Sequence, residues 1–92
     1  MKLFNKEGKL FVLALQNWSK VVDKKFNKTT YPIKVTYSKE QMKEIATLWV
    51  AAENSVAAFE INMSSEVIIS RLNLLIGFKA ITYIRTKIIT PN

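Results

Sequence analysis

One stretch, Leu10 to Phe26, constrains most strongly how this chain can fold. Its apolar residues recur three or four positions apart, at Phe11, Leu15, Trp18, Val22 and Phe26. This spacing places them on one stripe of an α-helix. We therefore predict a first helix from about Lys9 to Asp23, with Phe26 as an alternative end. The stripe should face a hydrophobic core, with Trp18 and Val22 among the core residues.

The same stretch and the connection after it carry four lysines: Lys20, Lys24, Lys25 and Lys28. Three of them recur at a spacing of four, which would place them on a second face of the helix. A solvated lysine face is the simplest interpretation. Contact with an anionic partner is the functional interpretation, and it concerns these lysines, with Trp18 as a further candidate.

The positive charge of the chain is concentrated at its two ends. The net charge is +7, to which residues 1–39 contribute +7, residues 40–78 contribute −3 and residues 79–92 contribute +3. A segregated positive field suits a polyanion. The alternative is a general preference of this chain for lysine as a solubilising residue.

Size and composition restrict the class of protein. Ninety-two residues, 49% of them hydrophobic, can form one small domain with a core. No apolar run approaches a membrane span, and the N-terminus lacks a small-residue cleavage site, so we expect a cytoplasmic protein without a membrane partner. With no His, no Cys and two Gly, the chain has no catalytic triad, zinc site or phosphate-binding glycine loop. We predict no enzyme activity, no catalytic residues, no cofactor and no metal.

The middle of the chain predicts two strands. Residues 1–8 are expected to form a flexible arm, and residues 9–90 a single domain. Ile33, Val35 and Tyr37 alternate with polar residues, which is typical of a half-buried strand. The apolar run 47–52 predicts a more central strand, with Trp49 in the core. The polar segment between these strands, 38–45, could be one helical turn or a connection.

The last third predicts a helix and a strand. The helix should run from Asn54 or Ser55 to Ile76, with Leu72 buried and Gly77 as its stop, and residues 63–66 resemble a second helix start. The final strand, 80–89, puts Tyr83, Arg85 and Lys87 on one side, where an aromatic ring and two cations could meet bases and phosphates. The alternative is that the two cations face water and Tyr83 packs under a helix or an edge, and for Tyr83 this is the favoured interpretation. The order α-β-β-α-β predicts a two-layer α+β fold: a three-stranded sheet with two helices on one face.

Four motifs in this order resemble the DciA family of bacterial proteins. Their members in this chain are Trp18-Ser19-Lys20-Val21-Val22 for a Trp-x-x-[IV]-Val opening, Thr30 and Pro32 for a His-Thr-x-Pro turn, Leu48-Trp49-Val50 for a Leu-x-Val strand, and Arg71-Leu72-Asn73 with Gly77 for an Arg-[IL]-Asn-x-x-x-Gly helix end. The resemblance covers about residues 10–90. It implies a domain similar to a K-homology (KH) domain. It also implies an adaptor without nuclease or ATPase activity that helps to place the replicative helicase DnaB on DNA.

On this basis the expected contacts to DNA or to an acidic helicase surface are Lys20, Lys24, Lys25, Lys28, Arg85 and Lys87. Three departures from the family pattern matter. Asp23 replaces a Gly, Thr29 replaces the His, and no GxxG loop of true KH domains exists. Many relatives also carry a basic tail, whereas this chain stops at Asn92, so we expect weak, salt-dependent DNA binding by a monomer or weak homodimer. The alternatives are a KH-like RNA-binding module and a structural dimerisation domain that pairs through an outer strand.

Overall fold

The structure is a computed structural model that describes residues 6–89, with side chains from Gly8 onward. Within this range it has three helices and three strands: α1 (Lys6–Val21), β1 (Thr30–Glu40), β2 (Lys43–Ala52), α2 (Ser55–Met63), α3 (Ser65–Ile76) and β3 (Tyr83–Ile88). The sheet order is β1-β2-β3; β2 pairs antiparallel with β1 and parallel with β3. The predicted α+β fold is confirmed, and the second helix is divided in two at Ser64.

The helices pack on one face of the sheet and share a core with it. Buried members of this core come from α1, from alternate positions of β1 and β2, and from α2 and α3. They include Leu10, Ala14, Trp18, Val35, Ala46, Leu48, Val50, Ile61, Ile68 and Leu72. Every second residue of β2, from Ala46 to Val50, points toward the helices, since strand side chains alternate between faces. The other residues of β2 therefore lie on the opposite face.

The buried stripe of α1 differs in phase from the predicted one. Trp18 is buried, but its buried partners in the helix are Leu10, Ala14 and Val21, and Leu15 is 48% exposed. Ala14 is completely buried, which shows that α1 makes its closest approach to the core at this small side chain. The bulkier Phe11 packs only at the rim of the core.

The ends of α1 also differ from the prediction. The helix begins at Lys6, so residues 6–8 of the predicted arm are helical, and residues 1–5 lie outside the described range. It ends at Val21 instead of Asp23 or Phe26. Val22 follows the helix and is buried, and Phe26 lies half-buried in the turn that leads to β1.

A tight hairpin joins β1 and β2. The strands extend through the polar segment 38–45, so that Glu40 pairs with Lys43 and only Gln41 and Met42 form the turn. Both turn residues have positive φ, 49° and 68°, as a two-residue hairpin turn requires. The segment is therefore a connection with flanking strand, and the helical-turn alternative is wrong. A bulge at Ile33, where the register shifts between Pro32 and Lys34, bends β1 near its start.

The break between α2 and α3 comes at a single residue. Asn54 caps α2, because its side chain accepts a 2.8 Å hydrogen bond from the backbone N–H of Ala57. Ser64 ends α2 and precedes α3, in agreement with the second start signal at residues 63–66. Gly77 ends α3 in the left-handed conformation, with φ of 99°, where glycine carries no Cβ penalty.

Residues of the recognised motifs connect these elements. The Trp18 indole donates from Nε1 to Thr30 Oγ1, and Arg71 Nη1 donates to the carbonyl of Val21 at the end of α1. Asn73 Oδ1 accepts from the backbone N–H groups of Ala80 and Ile81. These bonds fix the segment between α3 and β3, so β3 begins at Tyr83 and not at Ala80. Ala80 and Ile81 are buried in the link.

Candidate nucleic-acid interface

The sheet face opposite the helices carries a cross-strand array of aromatic and cationic side chains. We call it the open face and define it by three rows of residues in register: Tyr31–Ala51–Lys87, Lys34–Trp49–Arg85 and Thr36–Thr47–Tyr83. Residues in register share a face. Two rows with the opposite orientation alternate with them, Pro32–Val50–Thr86 and Val35–Leu48–Ile84. Of these residues, Val35, Leu48, Val50 and Ile84 pack in or against the core on the helix side.

Trp49 lies at the centre of the open face. It was predicted in the core, but it is only half-buried, because the helices cover the other side of β2. Its Nε1 donates a 2.9 Å hydrogen bond to Thr36 Oγ1 on β1, and the Lys34 Nζ lies 5.4 Å from the centroid of the indole ring. The hydrogen bond fixes the ring orientation, and the ammonium contact is a cation–π interaction.

Two further aromatic residues lie diagonally from Trp49. Tyr31 is on β1 in the preceding row and Tyr83 on β3 in the following row, with 47% and 51% of their surfaces exposed. The three aromatic side chains therefore lie on one diagonal across the sheet. The small residues Ala51 and Thr47 lie between the strands' larger side chains and leave the rings the most prominent features of the face.

The charge of the open face is positive. Lys34, Arg85 and Lys87 are exposed, and the three rows contain no carboxylate. A cleft of about 390 Å³ at the β3 edge is lined by Trp49, Tyr83 and Arg85 together with Asn62 of α2. The face can thus offer ring surfaces and cations to the same ligand.

The four early lysines do not form a helical face. Lys20 lies in the last turn of α1, while Lys24, Lys25 and Lys28 lie in the connection 22–29. All four are exposed. We call them the basic turn. Their predicted continuous face is wrong because α1 ends at Val21, before Lys24 and Lys28.

Asp23 shapes the basic turn. Its Oδ1 accepts a 3.0 Å hydrogen bond from the backbone N–H of Lys25, and its carbonyl accepts one of 2.9 Å from Phe26. This is an Asx-type turn, in which the Asp23 side chain stabilises a backbone turn at a position where the family pattern has a glycine. The acidic residue in the motif therefore has a local structural role.

The basic turn and the two cations of β3 lie toward the same end of the sheet. The turn leads into Thr30, which pairs with Ala52, and Ala52 pairs with Ile88. Lys87 is one residue from that end and Arg85 is three. Glu53 also lies here, since its backbone N–H donates to the Thr29 carbonyl, and its exposed carboxylate lowers the local positive charge.

A separate apolar surface lies on α2. Val56, Phe59 and Met63 are 65%, 60% and 70% exposed. Their spacing of three and four puts them on one helix face, opposite the buried Ala57 and Ile61. We call them the α2 stripe. An exposed group of large apolar side chains is typical of a protein contact.

Sequence reasoning found part of this arrangement. It placed Tyr83, Arg85 and Lys87 on one side of a strand, and the structure has them there. It missed Lys34 and Trp49 as members of the same face, because only the register of β1 against β2 brings them together. The signal present in the sequence was the alternation of Lys34 with Ile33 and Val35.

Among the described side chains, residues 8–89, no three of the types His, Cys, Asp or Glu are grouped so that they could hold a metal ion. In the same range, no helix has both the length and the apolar character needed to cross a membrane.

Comparison with known proteins assigns the domain. A family model described as "Dna[CI] antecedent, DciA" matches residues 2–86. The chain is also similar to an uncharacterised protein of Rickettsia prowazekii, with 31% identity over 81 residues, which cover 87% of this chain and 74% of that protein. The family match extends through every helix and into β3.

Proposed function

The chain belongs to the DciA family, and from this premise we propose that it is a non-enzymatic adaptor that helps to load the replicative helicase DnaB onto DNA. The family is associated with helicase loading in DNA replication. The observation that carries the proposal is the extent of the match, residues 2–86, which includes both the residues that join the elements and the strand that bears Arg85. We assign the protein to the cytoplasm, where bacterial replication takes place.

We propose that DNA contacts the basic turn together with Arg85 and Lys87. All six side chains are exposed, and the turn and the end of β3 lie at one end of the sheet. Cations in such an arrangement neutralise phosphates and release counterions. Six phosphate contacts on duplex DNA would lose roughly three decades of affinity between about 50 and 200 mM salt.

An adaptor also needs a surface for its protein partner, and the α2 stripe supports this part of the proposal. Its three apolar side chains point away from the sheet, so a helicase docked there would leave the open face accessible. The stripe is apolar where the DNA-facing surface is cationic. The two ligands would thus be bound by different chemistry on different sides of the domain.

An RNA-binding KH-like module is less well supported. A KH domain clamps its RNA with a GxxG loop, and the two glycines of this chain have other positions. Gly8 lies inside α1 and Gly77 caps α3. Competition between single-stranded RNA and DNA of equal length would distinguish the two functions, because a reader of the 2′-hydroxyl prefers RNA.

A dimerisation domain is the other alternative. Both β1 and β3 are edges of the three-stranded sheet, and an unpaired edge can add a strand from a second copy. Pro32 and the bulge beside it interrupt the β1 edge, so β3 would be the better contact. Light scattering of the purified chain would detect a stable dimer; we expect a monomer or a weak dimer.

The proposed function is tested by co-purification with the replicative helicase of the same organism and by DNA titration at two salt concentrations. We expect the wild-type chain to bind both. Changing Lys20, Lys24, Lys25 and Lys28 together to Glu should abolish DNA binding at moderate salt. The matched change of four other exposed lysines to Glu, Lys9, Lys39, Lys43 and Lys79, should reduce it less. A chain that binds neither helicase nor DNA at low salt would refute the proposal.

A further inference from the structure

We propose that the open face is a binding platform for single-stranded DNA, on which a base stacks against Trp49 while Lys34, Arg85 and Lys87 contact phosphates. This inference rests on the proposed function and deepens it, because it names the form of DNA and the surface. The basic turn could hold any DNA backbone, single or double. The open face adds exposed aromatic rings, on which only the bases of an unpaired strand can stack.

Trp49 is held in a fixed orientation on a surface that the helices leave uncovered. Its Nε1 donates to Thr36 Oγ1 at 2.9 Å, and its ring is half-buried and lies outside the core cluster. A ring fixed in this way loses little conformational freedom on binding, which favours affinity. Every base has a π-face, so stacking on such a ring does not depend on sequence.

Cations lie on both sides of the ring. Lys34 and Arg85 are the register partners of Trp49 on either side, each about one strand spacing, 4.7–4.9 Å, away. In the unbound chain the Lys34 ammonium lies over the indole. At an exposed site this cation–π contact is weaker than base stacking. A base can therefore displace the flexible lysine, whose charge is then free to meet the adjacent phosphate.

The three aromatic residues on the diagonal extend the platform. Tyr31, Trp49 and Tyr83 lie on successive strands and successive rows, so one strand of DNA crossing the sheet could stack a base on each. Bases in a duplex are already stacked and paired, so only a single strand can use this diagonal.

The three rows contain no acidic group, which favours an anionic ligand. Among the described residues, carboxylates flank the array at its ends, at Glu53 beyond Ala52 and at Glu40 next to the hairpin turn. A single strand of DNA that follows the diagonal lies between them, with phosphates for the cations and bases for the rings.

The test is fluorescence titration of the full chain with oligothymidylate, in the wild type and in Trp49→Ala, Trp49→Tyr and Phe78→Ala variants. Stacking should quench Trp49 emission in the wild type. Trp49→Ala should weaken binding, measured by anisotropy of a labelled oligonucleotide, about 5- to 150-fold. Trp49→Tyr should retain most of the affinity. Phe78→Ala, which removes an exposed ring near Leu10 and Leu13 of α1, should not change it.

A second pair of variants covers the case that Trp49→Ala is poorly folded. Lys34→Gln should lower the slope of log affinity against log salt by about 0.7, the value for one phosphate contact on a single strand. Lys9→Gln on α1 is the matched control and should leave the slope unchanged. Equal-length duplex should compete poorly with the single strand, and single-stranded RNA should compete no better than DNA.

The results separate this inference from the proposed function. If all Trp49 and Lys34 variants bind the oligonucleotide like the wild type while helicase and DNA are still bound, the open face is not the platform and the adaptor function stands. A clear preference for duplex or for RNA would also overturn the inference. Failure of the wild type to bind either helicase or DNA would instead overturn the proposed function.

Discussion

The Nε1 of Trp18 donates a 3.1 Å hydrogen bond to the Oγ1 of Thr30, and both residues are nearly completely buried, at 4% and 2% exposure. Thr30 Oγ1 in turn donates to the carbonyl of Phe26. One hydroxyl thus accepts a hydrogen bond from α1 and donates one to the connection 22–29. This explains why a Trp at the end of the helix is followed, twelve residues later, by a Thr at the start of β1.

Changing Thr30 to Val should destabilise the domain. The substitution keeps the shape but leaves the buried indole N–H without a partner, which costs about 1–3 kcal/mol. The Phe26 carbonyl loses one donor and keeps the hydrogen bond from the backbone N–H of Thr29 at 3.3 Å. Urea unfolding measures the loss. Thr30→Ser keeps the hydroxyl and is the control; it should cost clearly less. If Thr30→Val and Thr30→Ser were equally stable, the hydroxyl would have no such role.

The same bond can be isolated with a double-mutant cycle. Trp18→Phe removes the donor, so in that background Thr30→Val loses only its contact with Phe26. The double variant should therefore lose less unfolding free energy than the two single variants together, by about 0.5–3 kcal/mol. Strict additivity would show that the two side chains do not interact.

Asn73 should contribute as much to the stability of the domain as a core residue does. It makes three hydrogen bonds to the link before β3, since it accepts from the N–H groups of Ala80 and Ile81 and donates to the Ile81 carbonyl. Asn73→Ala should destabilise by about 2–4 kcal/mol, at about 1 kcal/mol for each bond. Asn73→Asp retains the oxygen that accepts both N–H bonds. This variant should therefore lose less stability, as measured by thermal unfolding. An equal loss in both variants would count against this role.

Gly77 should resist substitution for conformational reasons alone. Its φ is 99°, yet an added Cβ would meet no atom of the described residues within 4 Å. Gly77→Ala should therefore cost about 1–2 kcal/mol from the left-handed backbone, without a steric contribution. Gly77→Asn should cost less, because Asn tolerates this conformation better. Denaturation of the two variants measures the difference, and equal stability of Ala and wild type would contradict the assigned geometry.

A different sequence in the hairpin turn should stabilise the domain. Gln41 and Met42 both have positive φ, which costs roughly 1–2 kcal/mol per residue for side chains other than Gly, Asn or Asp. Replacing the pair by Asn-Gly, the preferred sequence of such a turn, should raise the melting temperature. DNA binding should not change, because the turn lies at the opposite end of the sheet from the basic turn. A lower melting temperature would indicate a different turn.

These features also show where sequence reasoning reaches its limit. The elements and their order were predictable because the apolar periodicity of each segment was clear. The hairpin was not predictable, because Gln41-Met42 lacks the glycine or asparagine by which such a turn is recognised. The phase of α1 was missed because Ala14, a small residue, is the point of closest packing, while the larger Leu15 faces solvent.

The environment of Trp49 could not be deduced from its neighbours. An apolar run such as 47–52 indicates a central strand, and β2 is central. Its helix-facing residues Leu48 and Val50 are in the core as expected. The other face of the sheet has no covering layer among residues 6–89, and no local pattern reports that. Lys34 became part of a candidate site only through a register that the bulge at Ile33 shifts by one residue.

The proposed adaptor function requires that this protein bind a helicase and DNA at the same time. The most direct measurement is anisotropy of a labelled single-stranded oligonucleotide, titrated with the chain at low salt, followed by addition of the replicative helicase of the same organism. We predict a rise when the chain binds the oligonucleotide and a second rise when the helicase joins the complex. A helicase that leaves the chain–DNA signal unchanged, together with a chain that does not co-elute with it, would contradict the account.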